Sequence, residues 1–220
     1  MLGRHPSILA VPLLAAVVDV LVDRVTPLMT DAMGGAGSSL LGMLVQLVYL
    51  WAFGVAIVQA SHIWRQRSGS FDEAWEESRS KFGGIALAAI GFQFVVWAAS
   101  YVGSLLGPFG GYAGLVLGAL AAFFLIYTIP AAAIGGMPGT LAIAASIRAV
   151  RGSVPASILL AVVFFALWYV VVPMVLPYAL ANLPALAWEL VTAAARAIVL
   201  AYLAFPFAKQ YDDVAFRPFW

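Results

Sequence analysis

An all-α membrane protein of six spanning helices is predicted by three features: apolar stretches of bilayer length, a scarcity of charge, and basic residues gathered on one flank of those stretches. Of the 220 residues, 64% are hydrophobic and 10% charged, against about 25% charged in ordinary soluble domains. A soluble globule is therefore excluded. The formal net charge of +1, with no basic patch interleaved with aromatic residues, gives no basis for nucleic-acid binding. The absence of cysteine removes disulfides, thiolate metal sites and thiol nucleophiles.

The first span is expected over roughly residues 7–29, loosened by Pro12 and ended by Pro27. The opening Met1 to His5 and the apolar run after it resemble a signal peptide, but Asp19, Asp23 and Arg24 stand where a small-residue cleavage site belongs, which predicts a retained span. Thr30 to Ser39, with three glycines, reads as a loop, and the second span covers roughly 40–62.

Next comes the most charged stretch of the chain, Arg65 to Gly84, with eight ionisable side chains. Ser70-Phe71-Asp72-Glu73 has the form of a capping box, so a helix begins near Phe71. Phe71, Ala74, Trp75, Ser78 and Phe82 recur at helical spacing as an apolar stripe. Asp72, Glu73, Glu76, Glu77, Arg79 and Lys81 cover the other side, with Glu77 and Lys81 placed for an i,i+4 pair. Gly83-Gly84 is expected to end this helix. It is too short and charged to span, and its acidic bias favours docking on protein over anionic lipid. Asp72, Glu73, Glu76, Glu77 and Trp75 form the candidate docking surface.

The third span is expected over 85–106 and Gly107-Pro108-Phe109-Gly110 as a tight turn. In the fourth, 111–134, a stripe of Gly110, Gly114, Gly118 and Ala122 recurs every fourth residue, the small-residue pattern that lets two backbones approach in lipid. Gly135 to Gly139 breaks the chain, and a second short amphipathic helix follows from Thr140 to Arg151. The fifth span covers 154–177 and the sixth 185–208, so that residues 1–208 form one bundle and 209–220 a cytoplasmic tail.

With six spans, Arg4, Arg65, Arg67, Arg79, Lys81, Arg148, Arg151, Lys209 and Arg217 share one side and Arg24 alone takes the other. By the positive-inside rule both termini are cytoplasmic and the protein belongs to the plasma membrane. Trp97, Tyr101, Tyr112, Tyr178 and Trp188 lie near the outer boundary, and Trp64, Trp75 and Tyr211 near the inner one. Ala74, Ser78 and Gly84 match Ala142, Ser146 and Gly152 at one offset of 68 residues, a sign of a parallel internal repeat.

The stretches Ser70 to Ser78 with Gly84, and Gly139 to Ser146 with Arg151-Gly152, each followed by a span, resemble the membrane domain attached to some prokaryotic glycerophosphodiester phosphodiesterases and its stand-alone relatives. The resemblance runs over roughly residues 40–211 and implies a six-span helical domain. Phosphodiester chemistry in those proteins belongs to a separate TIM barrel of about 250 residues. This chain has no room for one, so no activity carries over.

Arg196 is the most informative residue. Midway along the sixth span a charge costs about 2.5–3.5 kcal/mol on insertion scales, so Arg196 must face the bundle interior and find a partner. Glu189 and Thr192 share its helix face, and Asp19, with Asp23 one turn on, lies at a similar depth in the first span. Two roles are open: a buried ion pair fixing the first and sixth spans, or an anion or proton site on a transport route. Gln46 and Gln93 are expected to make interhelical hydrogen bonds. His5 and His62 are expected as solvated boundary residues rather than metal ligands. Ser38-Ser39 forms no nucleophile elbow, and Asp212-Asp213 lacks the further carboxylates of a magnesium diphosphate site. Phe216 to Trp220 reads as an aromatic anchor or a docking peptide. The expectation is thus a non-enzymatic protein without cofactor or metal, acting as subunit, scaffold or assembly factor among membrane proteins or copies of itself, with a small-solute, ion or lipid transporter as the alternative.

Overall fold

The computed structural model describes residues 5–66, 71–176 and 183–216. The capping serine Ser70, the basic residues Arg4, Arg67 and Arg217, and Tyr178 lie outside the described residues, as does all of the C-terminal peptide beyond Phe216.

A 3₁₀ turn, Pro6–Leu9, leads into α1, Ala10–Met33. Pro12 falls in its first turn, where the missing amide has no partner to lose. Pro27 lies inside the helix rather than at its end. The expected loop over Thr30 to Ser39 reduces to one residue: Gly34, at φ 64°, takes the left-handed conformation, and α2 starts at Gly35 and runs to Gln66. One such residue is enough to turn the chain.

Helix α3 spans Phe71–Ser80 and α4 Phe82–Ser104. The break falls at Lys81, not at Gly83-Gly84; both glycines lie in the first turn of α4, where the backbone amides are unbonded in any helix. A 3₁₀ turn, Gly107–Phe109, with Gly107 at φ 60°, joins α4 to α5, Gly110–Phe124.

The fourth apolar stretch is not one helix. It stops at Phe124 and resumes as α6, Thr128–Ala133, because Pro130 has no amide to return to Ile126. Residues Gly136 and Gly139, at φ 63° and 50°, turn the chain into α7, Gly139–Gly152. Helix α8, Val154–Phe165, continues as a π-helix over Ala166–Val175 with Pro173 inside it. The last helix, α9, covers Ala185–Ala215. It does not give way to a tail at Lys209, because Tyr211 continues the buried face of Leu203 and Phe207 and is itself buried.

Among the described residues, five stretches are long and apolar enough to cross a membrane: Gly35–Arg65, Phe82–Ser104, Gly107–Ala133, Val154–Met174 and Leu186–Ala215. Helix α1, 24 residues long, is set apart by Asp19, Asp23 and Arg24. Helix α2 is the centre of the bundle, packed against α1, α3, α4, α6 and α9. Every residue from Ala52 to Ala60 is buried. Gly54 matters there, since a methyl group in its place would meet the Ile85 side chain at 2.7 Å.

Candidate functional site

The polar site is built where α1, α2 and α9 meet. Ala16 on α1 and Ala193 and Ala197 on α9 are all buried together, and these small side chains let the two helices come close. Arg196, one residue before Ala197, can then reach across. Its Nη1 donates to Oδ2 of Asp19 at 2.6 Å. The hydroxyl of Tyr49 on α2 donates to the same oxygen at 2.7 Å. Asp19 is 5% exposed, whereas a third of the Arg196 side chain is accessible.

Toward the α1–α2 turn, Arg24 donates to Glu189 at 2.5 Å, and this second pair is much more open. Glu189 therefore serves Arg24 rather than Arg196. Asp23 is exposed and makes no hydrogen bond or ion pair among the described residues. Three carboxylates, Asp19, Asp23 and Glu189, thus face two guanidinium groups. Thr192, between Glu189 and Arg196 on α9, has a buried hydroxyl without a partner. Chemically, the arrangement closes one ion pair tightly, a second loosely, and leaves one negative charge over.

Tyr49 is the member of this site that the sequence reading missed. It is 5% exposed and braced edge-on by Trp168, with ring centroids 5.4 Å apart. Gln46 and Gln93, the expected polar residues of the second and third spans, make no side-chain hydrogen bond among the described residues, and Gln46 is exposed. Gln59 does so instead, donating to Ser7 at 2.7 Å.

The stripe of Gly110, Gly114 and Gly118 lies against α4. A methyl group on Gly103 would come within 2.5 Å of the Gly114 backbone, and one on Gly114 within 2.6 Å of the Ser100 carbonyl. One on Gly110 or Gly118 would collide with the Ser104 carbonyl or the Ser100 hydroxyl. Ala122 is half-buried at the far end.

The acidic surface of α3 divides in two. Asp72, Glu73 and Glu76 are exposed. Glu77 instead turns inward, bonded to His62 and, at 2.5 Å, to Lys81, whose ammonium also donates to the Ala133 carbonyl at 2.8 Å. Burial pushes the Glu77 carboxyl up, but the hydrogen bonds from Lys81 and His62 outweigh it and hold it below its ordinary value of 4.5. Trp75 is also engaged, edge-on to Trp51 and stacked on Phe71. His62 is thus a partner of α3 rather than a solvated boundary residue.

Asp212 bonds Arg65 and Asp213 bonds Lys209, while Lys209 lies 4.3 Å over the Trp64 ring and Arg65 lies over Phe216. Ser38 and Ser39 both donate to the Gly35 carbonyl. Among the described residues no three acidic or histidine side chains are grouped to hold a metal. No family model matches this chain, and neither a curated protein nor a solved structure matches it.

Proposed function

We propose that this protein crosses the membrane six times, α1 included, and works by contact, as a subunit, scaffold or assembly factor of a membrane complex. The observation that carries this reading is the Asp19–Arg196 bond. The Arg196 guanidinium is neutralised by a buried carboxylate that Tyr49 also bonds, and a satisfied pair of this kind joins helices rather than greeting a solute. The same pairing supports α1 as a span, since Asp19 and Arg24 both have partners on α9. A cavity beside α3 and another between α8 and α9 are lined by residues other than Arg196.

In this reading α3 and α7 lie along the inner membrane surface as an amphipathic pair belonging to a parallel repeat, with both termini cytoplasmic. Ala74 and Ser78 on α3, and Ala142 and Ser146 on α7, are all buried, which fits the 68-residue offset. The likeness to the phosphodiesterase-associated membrane domain suits this build and adds no chemistry.

Asp23 favours a second reading. An unpaired carboxylate on α1, with an unbonded Thr192 hydroxyl on the neighbouring helix α9, is what a proton- or cation-conducting protein would place there. One mutant series separates the two. Arg196→Leu alone leaves Asp19 buried and uncompensated, at a cost of about 3 kcal/mol. Since Tyr49 donates to the same oxygen, the neutral replacement is the triple variant Asp19→Leu, Tyr49→Phe, Arg196→Leu. Under the first reading the single variant elutes aggregated from detergent and the triple variant recovers. A well-folded Arg196→Leu that loses proton or potassium flux in dye-loaded proteoliposomes would replace it with the second.

A further inference from the structure

We infer that the cavity of about 310 Å³ beside α3, lined by Trp51, Trp75, Ser78, Arg79 and Phe82, receives the headgroup of a zwitterionic phospholipid. The inference goes beyond the proposed function and needs only that α3 lies at a membrane surface. Three aromatic rings make the walls, Trp51 standing edge-on to Trp75 and to Phe82 with centroids 6.1 and 5.9 Å apart. Trp75 and Phe82 are themselves 37% and 53% exposed, so the cavity opens outward rather than into the core. Its volume is at the small end of the about 300–1,000 Å³ of ligand sites, suited to a headgroup rather than a whole lipid.

Two donors at this cavity lack acceptors. The indole N–H of Trp51 is buried and makes no hydrogen bond. An aromatic face, the most its edge-on neighbours can offer, is a weak acceptor. Arg79, the one cation lining the cavity, is exposed and forms no ion pair among the described residues. Trp51 and Arg79 both line this aromatic cavity, and a phosphate entering it would bring acceptor oxygens to the guanidinium and to the indole N–H. The surrounding charge selects among phosphates. Glu76 and Asp72, exposed one and two turns before Arg79, repel a ligand of net negative charge and attract an ammonium a few bonds from the phosphate. A headgroup carrying both charges satisfies both sets.

The test uses the full-length protein, delipidated in detergent and offered equimolar phosphatidylethanolamine, phosphatidylcholine and phosphatidylglycerol, with retained lipid weighed by native mass spectrometry. One zwitterionic lipid is retained per chain, in preference to phosphatidylglycerol. Arg79→Gln weakens retention about tenfold, the loss expected for a charge-assisted hydrogen bond. Trp51→Phe, which keeps the ring packing and removes the N–H, weakens it severalfold. Arg151→Gln, an exposed cation on α7, leaves it unchanged. Circular dichroism and monodisperse elution verify that each variant is folded. Equal or stronger retention of phosphatidylglycerol, or retention indifferent to both Arg79→Gln and Trp51→Phe, overturns the site. Inorganic phosphate quenching tryptophan fluorescence where no phospholipid is retained overturns the lipid assignment in favour of the free ion.

Discussion

At Asp19 a single carboxylate oxygen takes both the Arg196 guanidinium and the Tyr49 hydroxyl, so the three helices that supply these residues are tied at one atom. Tyr49→Phe keeps the edge contact with Trp168 and removes only the hydroxyl. It is expected to lower stability by about 1 kcal/mol, within the range of interhelical hydrogen bonds in membranes, measured by unfolding in mixed micelles. Glu77 is the corresponding tie at the other end of the bundle. Its carboxyl titrates below 4.5 in the folded protein, so the stability it contributes is present above pH 4.5 and fades as the pH falls through the lowered value. Glu77→Gln should therefore melt below wild type at pH 7, by less than about 1 kcal/mol because a third of the side chain is exposed and screened. The gap should close under acid; a gap that persists at pH 3 would assign the loss to packing instead. Arg196 and Asp19 were legible in the sequence because a charge amid apolar residues has few explanations. Tyr49 was not, since a mid-span tyrosine looks like any other aromatic core residue until its hydroxyl finds a carboxylate.

Between elements, the least legible feature was the break in the fourth apolar stretch. Composition carries straight through it, and Pro130 alone reads as a kink near a helix end. What makes the break stable comes from a different helix: the Ser146 hydroxyl of α7 enters it, accepting from the Tyr127 amide at 3.0 Å and donating to the Phe124 carbonyl at 2.9 Å. Tyr127, fully buried, reaches Ser157 of α8 with its own hydroxyl at 3.1 Å. Ser146→Ala strands a buried amide and a carbonyl together, at an expected cost of about 1–3 kcal/mol, read from thermal unfolding. Ser78→Ala on α3 is the control, because Ser78 only donates back to the Ala74 carbonyl of its own helix and should cost far less. The glycine stripe was legible as a spacing, but its partner was not. Gly114→Leu must force α5 away from Ser100 and Gly103, whereas Gly111→Leu points into open space. Loss of a folded, monodisperse protein in the first variant and its retention in the second would mark the stripe as a contact face.

Across the whole molecule, the side of the membrane on which each end of α1 lies decides how much of the rest follows. Among the described residues five stretches are apolar enough to cross by composition, and an odd number of crossings would put the two ends of the chain on opposite sides. In the proposed six-span layout the sixth crossing would fall to α1, a helix with three charges near its middle, which in lipid is tenable only because α9 supplies partners for Asp19 and Arg24. The bias of basic residues along the sequence favours the same even number of crossings, and it was legible in the sequence because Lys and Arg resist translocation whatever helices they flank. The native chain has no cysteine, so single cysteines can be placed without background. In sealed inside-out vesicles, His5→Cys, Ser80→Cys and Arg151→Cys should react with a membrane-impermeant maleimide from outside, and Asp31→Cys only after the vesicles are opened. If His5→Cys and Asp31→Cys instead react from the same side, α1 lies on the surface, its pairing with α9 is formed outside the bilayer core, and the contact role inferred from Arg196 loses its basis. Arg196→Leu and Asp31→Cys combined make the dependence explicit: without its partner on α9, α1 should cross less completely, and the fraction of Asp31→Cys labelled before opening should rise.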